Sequence, residues 1–364
     1  EAGGTLTVTG TSKEIDATGN GVSVIGLRRV GGIVGVNRGT IGHTGASTSE
    51  TSEKYLASRA KLVRASRGYA GGIVGETHGD ITCAVNRSVS VTADEGYAGG
   101  ITAVNNEGQA IWNCKNFGNV SSSKGYASGI TAHNAGTITD CVVQRAEIQS
   151  IGVNEMGAIT AENAGTILSS RPEADVVLKG EALVFGGVTG SNRGTIGTAE
   201  SSDKYELTEI PKIITTKGNL TVGGVAGQNY TGAKIYNVKV TAENADTFRK
   251  FTSYHYLGGI TGENSGNVTG AEFAGTIIEA TGTAGNCYGA IAGINETNAI
   301  LKDCTVKKLT MQIRGVYSAA STSSADEKEK SATHAGGIAG KNEKDATIEG
   351  CSLKDNKDSS LTAE

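Results

Sequence analysis

The amino-acid sequence predicts an all-β protein that folds as a parallel β-helix (β-solenoid). Three observations predict this fold. One unit, Gly-Gly-Ile-x-Gly-x-Asn-x-Gly-x-Ile, recurs ten times along the chain, and its strict and variable positions alternate with period two. Glycine is abundant (54 of 364 residues), whereas proline is rare (2 residues), so the chain is neither collagen-like nor a flexible linker. Units of this kind bury their apolar face by stacking on neighbouring copies, and we expect each coil to contact the coils before and after it.

The spacing of the units gives the length of one coil. In chain order, the units begin at Gly31, Gly71, Gly99, Ser128, Gly157, Gly186, Gly223, Gly258, Gly289 and Gly336. The basic interval is 28 to 29 residues, and longer intervals are the same coil with an insertion. Three β-rich stretches fit into one interval, so the sequence predicts three short strands per coil. Parallel strands are joined by right-handed crossovers in most folds, and we expect a right-handed coil.

The columns of the aligned units predict which side chains face the interior. The third column is Ile or Val, the fifth is Gly or Ala, and the seventh is Asn in every unit but one, which has Thr77. We expect the Asn side chains to bond to one another from coil to coil as a structural ladder. Its nine members are Asn37, Asn105, Asn134, Asn163, Asn192, Asn229, Asn264, Asn295 and Asn342.

The fourth column varies, and alternation predicts that it faces solvent. Four successive units have threonine there, namely Thr102, Thr131, Thr160 and Thr189. An exposed threonine row is a feature of ice-binding solenoids, but those carry two threonines per strand and this chain does not. We interpret the row as ordinary exposed strand threonine.

A further apolar column closes each unit, and the cysteines are placed relative to it. Its members are Ile41, Ile81, Ile111, Ile138, Ile167, Ile196, Ile235, Val268, Ile300 and Ile348. Cys114, Cys141 and Cys351 follow it by three residues and Cys304 by four. We therefore expect a stack of buried thiols, with a disulfide between neighbouring coils, such as Cys114 to Cys141, as the alternative. The chain has no Cys-x-x-Cys pair, and we expect no metal and no cofactor.

The domain organisation follows from the limits of the repeat. We expect N-terminal capping strands over residues 1–29, the solenoid over 30–351 and a polar C-terminal tail over 352–364. Insertions break the period near residues 45–56, 200–212, 241–253 and 315–334.

Two of these insertions share a Ser-(Glu/Asp)-Lys-Tyr sequence at matching points of their coils, 150 residues apart. Insertions are where solenoids carry function. The paired residues Lys54, Tyr55, Lys204 and Tyr205 are therefore candidate ligand contacts, with solvated loops as the alternative interpretation.

A tyrosine column precedes the Gly pair in three successive units, at Tyr69, Tyr97 and Tyr126. An apolar residue follows each tyrosine, so alternation directs the rings outward. Aromatic rings stacked at strand spacing form a platform for sugars or for a protein partner. The alternative is ordinary cross-strand stacking without a ligand.

Composition and motifs disfavour several other functions. A formal charge of −4 does not indicate the basic surface that binds nucleic acid. No apolar run is long enough for membrane insertion by a helix. Glu76, His78 and Asp80 form the densest polar cluster, which we interpret as a solvated turn at a corner of the coil. We expect no catalytic residues and a monomeric chain.

The repeat unit carries a family resemblance. Gly31 to Ile41 and Gly258 to Val268 resemble the GLUG motif, which recurs in large bacterial surface proteins, including adhesin-like proteins and IgA-specific metallopeptidases. The resemblance implies a fragment of a larger protein at the bacterial cell surface or in the extracellular medium. It also implies a host protein, such as an immunoglobulin, or a glycan as partner. Protease activity is not implied, because the His-Glu-x-x-His zinc motif is absent.

Three functions remain open from the sequence. The first is an adhesin-like surface that binds a host ligand. The second is a rigid spacer or accessory domain of a larger secreted enzyme, such as an immunoglobulin-cleaving metallopeptidase. The third is a polysaccharide-active β-helix enzyme, which would need carboxylates that converge on one face.

Overall fold

The computed structural model describes residues 5–7, 14–18, 21–42, 55–152, 155–173, 175–200, 204–215, 220–242, 254–282, 285–315, 333–354 and 360–363. Within these ranges the regular structure is β-strand without helix, and the strands pair in parallel. This confirms the predicted all-β, parallel β-solenoid. Of the predicted insertions, residues 45–54, 201–203, 243–253 and 316–332 lie outside the described residues.

Contacts divide the chain into two compact units with five repeats each. Unit 1 comprises Glu1–Ala182 and Ile213–Thr215, and unit 2 comprises Leu183–Lys212 and Thr216–Glu364. The predicted boundaries after residues 29 and 351 stay predictions.

Unit 1 has five parallel sheets, which we label A to E in the order in which one coil passes through them. Sheet A contains Thr5–Thr7, Thr40–Gly42, Ile81–Thr82, Ala110–Trp112, Thr137–Thr139 and Thr166–Leu168. Sheet B contains Glu14–Thr18, Tyr55–Ser58, Ala84–Asn86, Lys115–Asn116, Val142–Val143 and Arg171–Pro172. Sheet C contains Ser23–Gly26, Leu62–Ala65, Ser90–Ala93, Asn119–Ser122, Glu147–Ser150, Val177–Gly180 and Lys212–Ile214, the last of which begins at the final residue of a unit 2 segment.

The other two sheets of unit 1 contain the repeat motif itself. Sheet D contains Arg29–Gly31, Gly68–Gly71, Gly96–Gly99 and Ala127–Ser128, and Glu155–Gly157 takes the same place in the fifth coil. Sheet E contains Val34–Asn37, Val74–Thr77, Thr102–Asn105, Thr131–Asn134 and Thr160–Asn163.

Unit 2 has four parallel sheets, F to I. Sheet F contains Val184–Gly186, Leu220–Gly223, Tyr254–Gly258, Cys287–Gly289 and His334–Gly336. Sheet G contains Thr189–Asn192, Ala226–Asn229, Thr261–Asn264, Ala292–Asn295 and Ala339–Asn342. Sheet H contains Thr195–Ile196, Lys234–Tyr236, Asn267–Thr269, Ile300–Lys302 and Thr347–Glu349. Sheet I contains Tyr205–Leu207, Val238–Ala242, Glu272–Gly282, Thr305–Gly315, Ser352–Lys354 and Ser360–Ala363.

A coil is divided more finely than the three strands that the sequence predicts, with five short strands in unit 1 and four in unit 2. The division has a backbone cause. The second residue after the closing apolar column has a left-handed conformation in most coils, with φ of 49° at Cys83, 50° at Asn113 and 52° at Asp140. A left-handed residue ends the strand and turns the chain, so one β-rich stretch becomes two strands.

The predicted interior columns are buried in the central coils, whereas Ile33, Ile338 and Ile348 of the terminal coils are partly exposed. In the third column, Ile73, Ile101, Ile130 and Ile159 are fully buried, and the main-chain N–H of Ile101 donates to the Ile130 carbonyl at 3.0 Å. The closing column needs one correction, because Val268 pairs with Leu301 rather than with Ile300. The corner from Asn295 to Leu301 has the same length as the corner from Asn105 to Ile111. The closing position of this coil is therefore Leu301, one residue later than the sequence predicts.

The asparagine ladder is present. Within unit 1, Asn105 donates through Nδ2 to Asn134, and Asn134 donates to Asn163, each at 2.8 Å. The ladder is interrupted at Thr77. Asn37 donates to the Thr77 hydroxyl at 3.1 Å, but that hydroxyl donates to the Gly79 carbonyl, and the Oδ1 atom of Asn105 has no hydrogen-bond donor.

The ladder continues in the same way in unit 2. There the Nδ2–Oδ1 distances between successive asparagines are 2.9, 2.8, 2.8 and 2.7 Å. The members of this part are Asn192, Asn229, Asn264, Asn295 and Asn342.

The threonine row is buried, and the expectation that it is exposed was wrong. Thr102, Thr131, Thr160 and Thr189 are each fully buried. The Thr131 hydroxyl donates to the His133 carbonyl at 3.0 Å. The Gly pair is the cause. It turns the chain so tightly that a Cβ atom on Gly99 would lie 1.7 Å from the Thr102 carbonyl oxygen, and the bend encloses the fourth side chain.

The six cysteines are free thiols, and Cys114, Cys141, Cys304 and Cys351 lie in the positions that the predicted stack requires. Cys114 N–H donates to Cys141 Sγ at 3.4 Å, and Cys304 N–H donates to Cys351 Sγ at the same distance. Because Leu301 is the true member of the closing column, Cys304 follows it by three residues like the others. The Sγ atoms therefore accept hydrogen bonds from main-chain N–H groups in place of carbonyl oxygens, at a point where the backbone turns.

The interrupted ladder generates a stability prediction. Thr77→Asn places an amide where it can accept from Asn37 and donate to the orphan Oδ1 of Asn105. We expect the free energy of unfolding to rise by about 1 kcal/mol, measured by urea denaturation. The reciprocal variant Asn134→Thr breaks a complete ladder and should lower it by about 1–3 kcal/mol. A Thr77→Asn variant that is less stable than the parent would contradict the ladder.

The corrected register generates a second prediction. Leu301 is fully buried, whereas Ile300 is partly exposed. Leu301→Ala should therefore cost about 2–5 kcal/mol of stability, and Ile300→Ala should cost clearly less. The two variants are compared by their denaturant midpoints. A larger loss of stability in Ile300→Ala than in Leu301→Ala would contradict the corrected register.

Candidate functional site

The tyrosine strip, defined as Tyr69, Tyr97 and Tyr126, is a continuous aromatic row on unit 1. Backbone register pairs Tyr97 with Tyr69. The ring centroids of Tyr69 and Tyr97 are 5.7 Å apart with an interplanar angle of 21°, and those of Tyr97 and Tyr126 are 5.6 Å apart at 45°. The rings are half-buried, while the following residues Ala70 and Ala98 are fully buried. The rings therefore lie on the outer side of sheet D.

Glycine makes this alignment possible. Each tyrosine of the strip follows a glycine, and Gly68 and Gly96 have φ of +92° and +123°. A Cβ atom on Gly96 would lie 2.1 Å from the Gly68 carbonyl oxygen. The repeated Gly-Tyr-Ala sequence is the signal for this close approach, and the reasoning from the sequence alone missed the glycine.

Carboxylates flank the strip. The Tyr126 hydroxyl donates to Glu155 Oε2 at 3.0 Å. Burial is the main cause that raises the pKa of Tyr126 well above its usual value, and the charges of Glu155 and Glu162 add to it. Burial and the Glu162 charge raise the pKa of Tyr97 as well. The phenol hydroxyls are thus protonated at physiological pH and can act as hydrogen-bond donors.

The polar cluster of Glu76, His78 and Asp80 is a set of structural contacts rather than a solvated turn. Glu76 is 8% exposed and accepts a hydrogen bond from Arg29, and His78 Nε2 lies 3.1 Å from Glu76 Oε1. Asp80 Oδ1 accepts from the main-chain N–H of Ala110 at 2.9 Å. The solvated-turn interpretation was therefore wrong for Glu76, because sheets D and E bring Arg29 next to it.

The two matched insertions do not present their tyrosines as surface contacts. Tyr55 is 3% exposed, and its hydroxyl donates to Asn113 Oδ1 at 3.0 Å. Tyr205 is 8% exposed. Both residues begin strands, so their rings pack against the coil. Lys54 lies outside the described residues.

Lys204 has a structural partner in unit 2. Its Nζ donates to Glu272 Oε2 at 3.1 Å, and Lys307 Nζ lies 3.2 Å from Glu272 Oε1. Burial opposes ionisation of Glu272, but the two lysines outweigh it and lower the pKa of this carboxyl. Lys204 is thus held in an ion-pair network directly before the strand Tyr205–Leu207.

Two further properties concern the described part of the chain. No group of three or more His, Cys, Asp or Glu side chains in it could hold a metal ion. The same residues include no helix long and apolar enough to span a membrane.

Comparison with known proteins gives three findings. Residues 218–245 match the family model of the GLUG motif. No curated protein matches the chain. The crystal structure of a proposed immunoglobulin A1 protease from Bacteroides ovatus is similar at 14% sequence identity, with a TM-score of 0.39 and coverage of 83% of this chain and 85% of that chain. The family-model match confirms the GLUG resemblance, and the chain contains a GLUG-motif repeat region that folds as a β-solenoid.

Proposed function

We propose that this chain is a non-catalytic binding segment of a larger bacterial surface or secreted protein, and that the tyrosine strip binds an extended glycan. The observation that carries the proposal is the row of three half-exposed rings spaced 5.6–5.7 Å apart. A row with a constant repeat suits a ligand that is itself a chain of similar units. The spacing is comparable to the length of one sugar residue in an extended polysaccharide.

The chemistry of the strip favours a sugar over a protein partner. Stacked rings provide an apolar ridge for sugar C–H groups. The Tyr97 hydroxyl provides a donor, and the carboxylates of Glu155 and Glu162 provide acceptors, for sugar hydroxyls. A stable protein interface needs a broad patch with a dry centre, whereas the strip is one residue wide.

The rigid-spacer function is the second candidate. It is favoured by the interior columns, since the Ile, Asn and Cys rows account for the repeat by stacking alone. Under this alternative the tyrosines only stabilise sheet D through cross-strand contacts.

The central variant is Tyr97→Ala, with a glycan array on the purified chain followed by titration with the best neutral oligosaccharide. We expect the dissociation constant to rise about tenfold, because the middle ring supports both neighbours. Tyr97→Phe keeps the ring and should bind more tightly than Tyr97→Ala.

Tyr236→Ala is the matched control, since it removes a half-buried tyrosine from sheet H of unit 2. It should leave binding unchanged. Loss of affinity in both alanine variants alike, or a parent chain that retains no glycan, would contradict the proposal and favour the spacer.

A further inference from the structure

We infer that the N-terminal end of the tyrosine strip is a pocket for an anionic group, a carboxylate or a sulfate, carried by an acidic glycan. This inference rests on the proposed function, because the pocket and the strip would bind one ligand. The pocket has a volume of about 310 Å³ and is lined by Arg28, Arg29, Arg67, Gly68 and Tyr69.

Two successive coils build the pocket from backbone register. Arg29 pairs with Tyr69, so an arginine continues the tyrosine column by one coil. The Tyr69 N–H donates to the Arg28 carbonyl at 2.5 Å, and the Arg67 N–H donates to the Leu27 carbonyl at 2.7 Å. Three arginines that are up to 39 residues apart in sequence thereby line one opening.

Gly68 keeps the pocket open between the arginines and the ring. Its φ is +92°, and a Cβ atom there would lie 2.8 Å from the Arg28 carbonyl oxygen. A larger residue would therefore push the backbone at Arg28 away from Tyr69. The glycine that aligns the strip also shapes its cationic end.

The pocket has an excess of positive charge. Arg29 uses its Nε to bond Glu76, and a guanidinium has five N–H donors in all. Arg67 lies 3.7 Å from Glu95, which is closer to Lys124 at 3.0 Å.

Arg28 is exposed and forms no ion pair with any residue in the described ranges. Among the described residues, the ion pairs of these guanidinium groups involve two carboxylates, Glu76 and Glu95, and Glu95 also pairs with Lys124. The surplus charge is available to a ligand.

The side chains select the ligand class. Guanidinium groups bind carboxylate and sulfate through paired N–H donors. Tyr69 has Tyr97 stacked on one side and Arg29 as its neighbour on the other side. The Tyr69 ring therefore borders the pocket. At the opposite end, the Glu155 carboxylate bonds Tyr126. An acidic glycan should therefore place its anionic group at the arginine end.

The test uses the intact chain and three tetrasaccharides of equal length: one with glucuronate, one with sulfate esters and one neutral. At about 0.15 M salt, where surface charges act over roughly 8 Å, we expect an acidic probe to bind about tenfold more tightly than the neutral one. Arg28→Gln and Arg67→Gln should each remove most of this preference. The probe that gains more affinity identifies carboxylate or sulfate as the preferred group.

Arg64→Gln is the matched control, because Arg64 lies in sheet C and bonds Asp94 at 2.7 Å. It removes the same charge from unit 1 outside the pocket. Equal losses in Arg28→Gln and Arg64→Gln, or no preference for an acidic probe in the parent, would overturn the inference.

The two proposals can fail separately. If Tyr97→Ala weakens neutral binding but no acidic preference exists, the strip binds glycan and the pocket inference is wrong. If the acidic preference is lost in Arg28→Gln but Tyr97→Ala changes nothing, the pocket binds the anion and the strip proposal is wrong.

Discussion

In-register stacking of coils is the constraint on which the rest of the molecule depends. Each strand pairs in register with the same positions of the next coil, as Thr102 does with Thr131. A residue type that repeats in the sequence therefore becomes a row in space at strand spacing. The isoleucine core, the asparagine ladder, the paired thiols and the tyrosine strip are rows produced by this one rule.

Reading the sequence as columns recovered what depends on register alone. The buried isoleucines, the asparagine ladder and the outer position of the tyrosines follow from period-two alternation. Alternation failed where the backbone leaves the flat strand. Thr102 is enclosed by the Gly99 turn, and left-handed residues such as Asn113 divide a stretch that looks like a single strand. These features depend on backbone angles, which a hydrophobic pattern does not contain.

The candidate site was only partly visible from the sequence. The tyrosines could be found because they repeat at the coil period, whereas Arg29 and Glu76 lie 47 residues apart and meet only through stacking. The Lys-Tyr pairs could not be placed for a related reason. They lie in insertions that break the repeat period, which indicates loops in the sequence, but Tyr55 and Tyr205 begin strands and pack inward.

One scaffold rule thus explains both the structural and the proposed binding features of unit 1, since the same stacking that buries isoleucine aligns tyrosine outside. Hydroxyl-radical footprinting with a bound oligosaccharide tests most directly whether the aligned tyrosines form the binding surface. The method reports the solvent access of each tyrosine ring by mass spectrometry. Glycan binding on the strip predicts protection of Tyr69, Tyr97 and Tyr126 and unchanged labelling of Tyr236. Equal protection of Tyr236, or unaltered labelling of all three strip residues in the bound state, would contradict it.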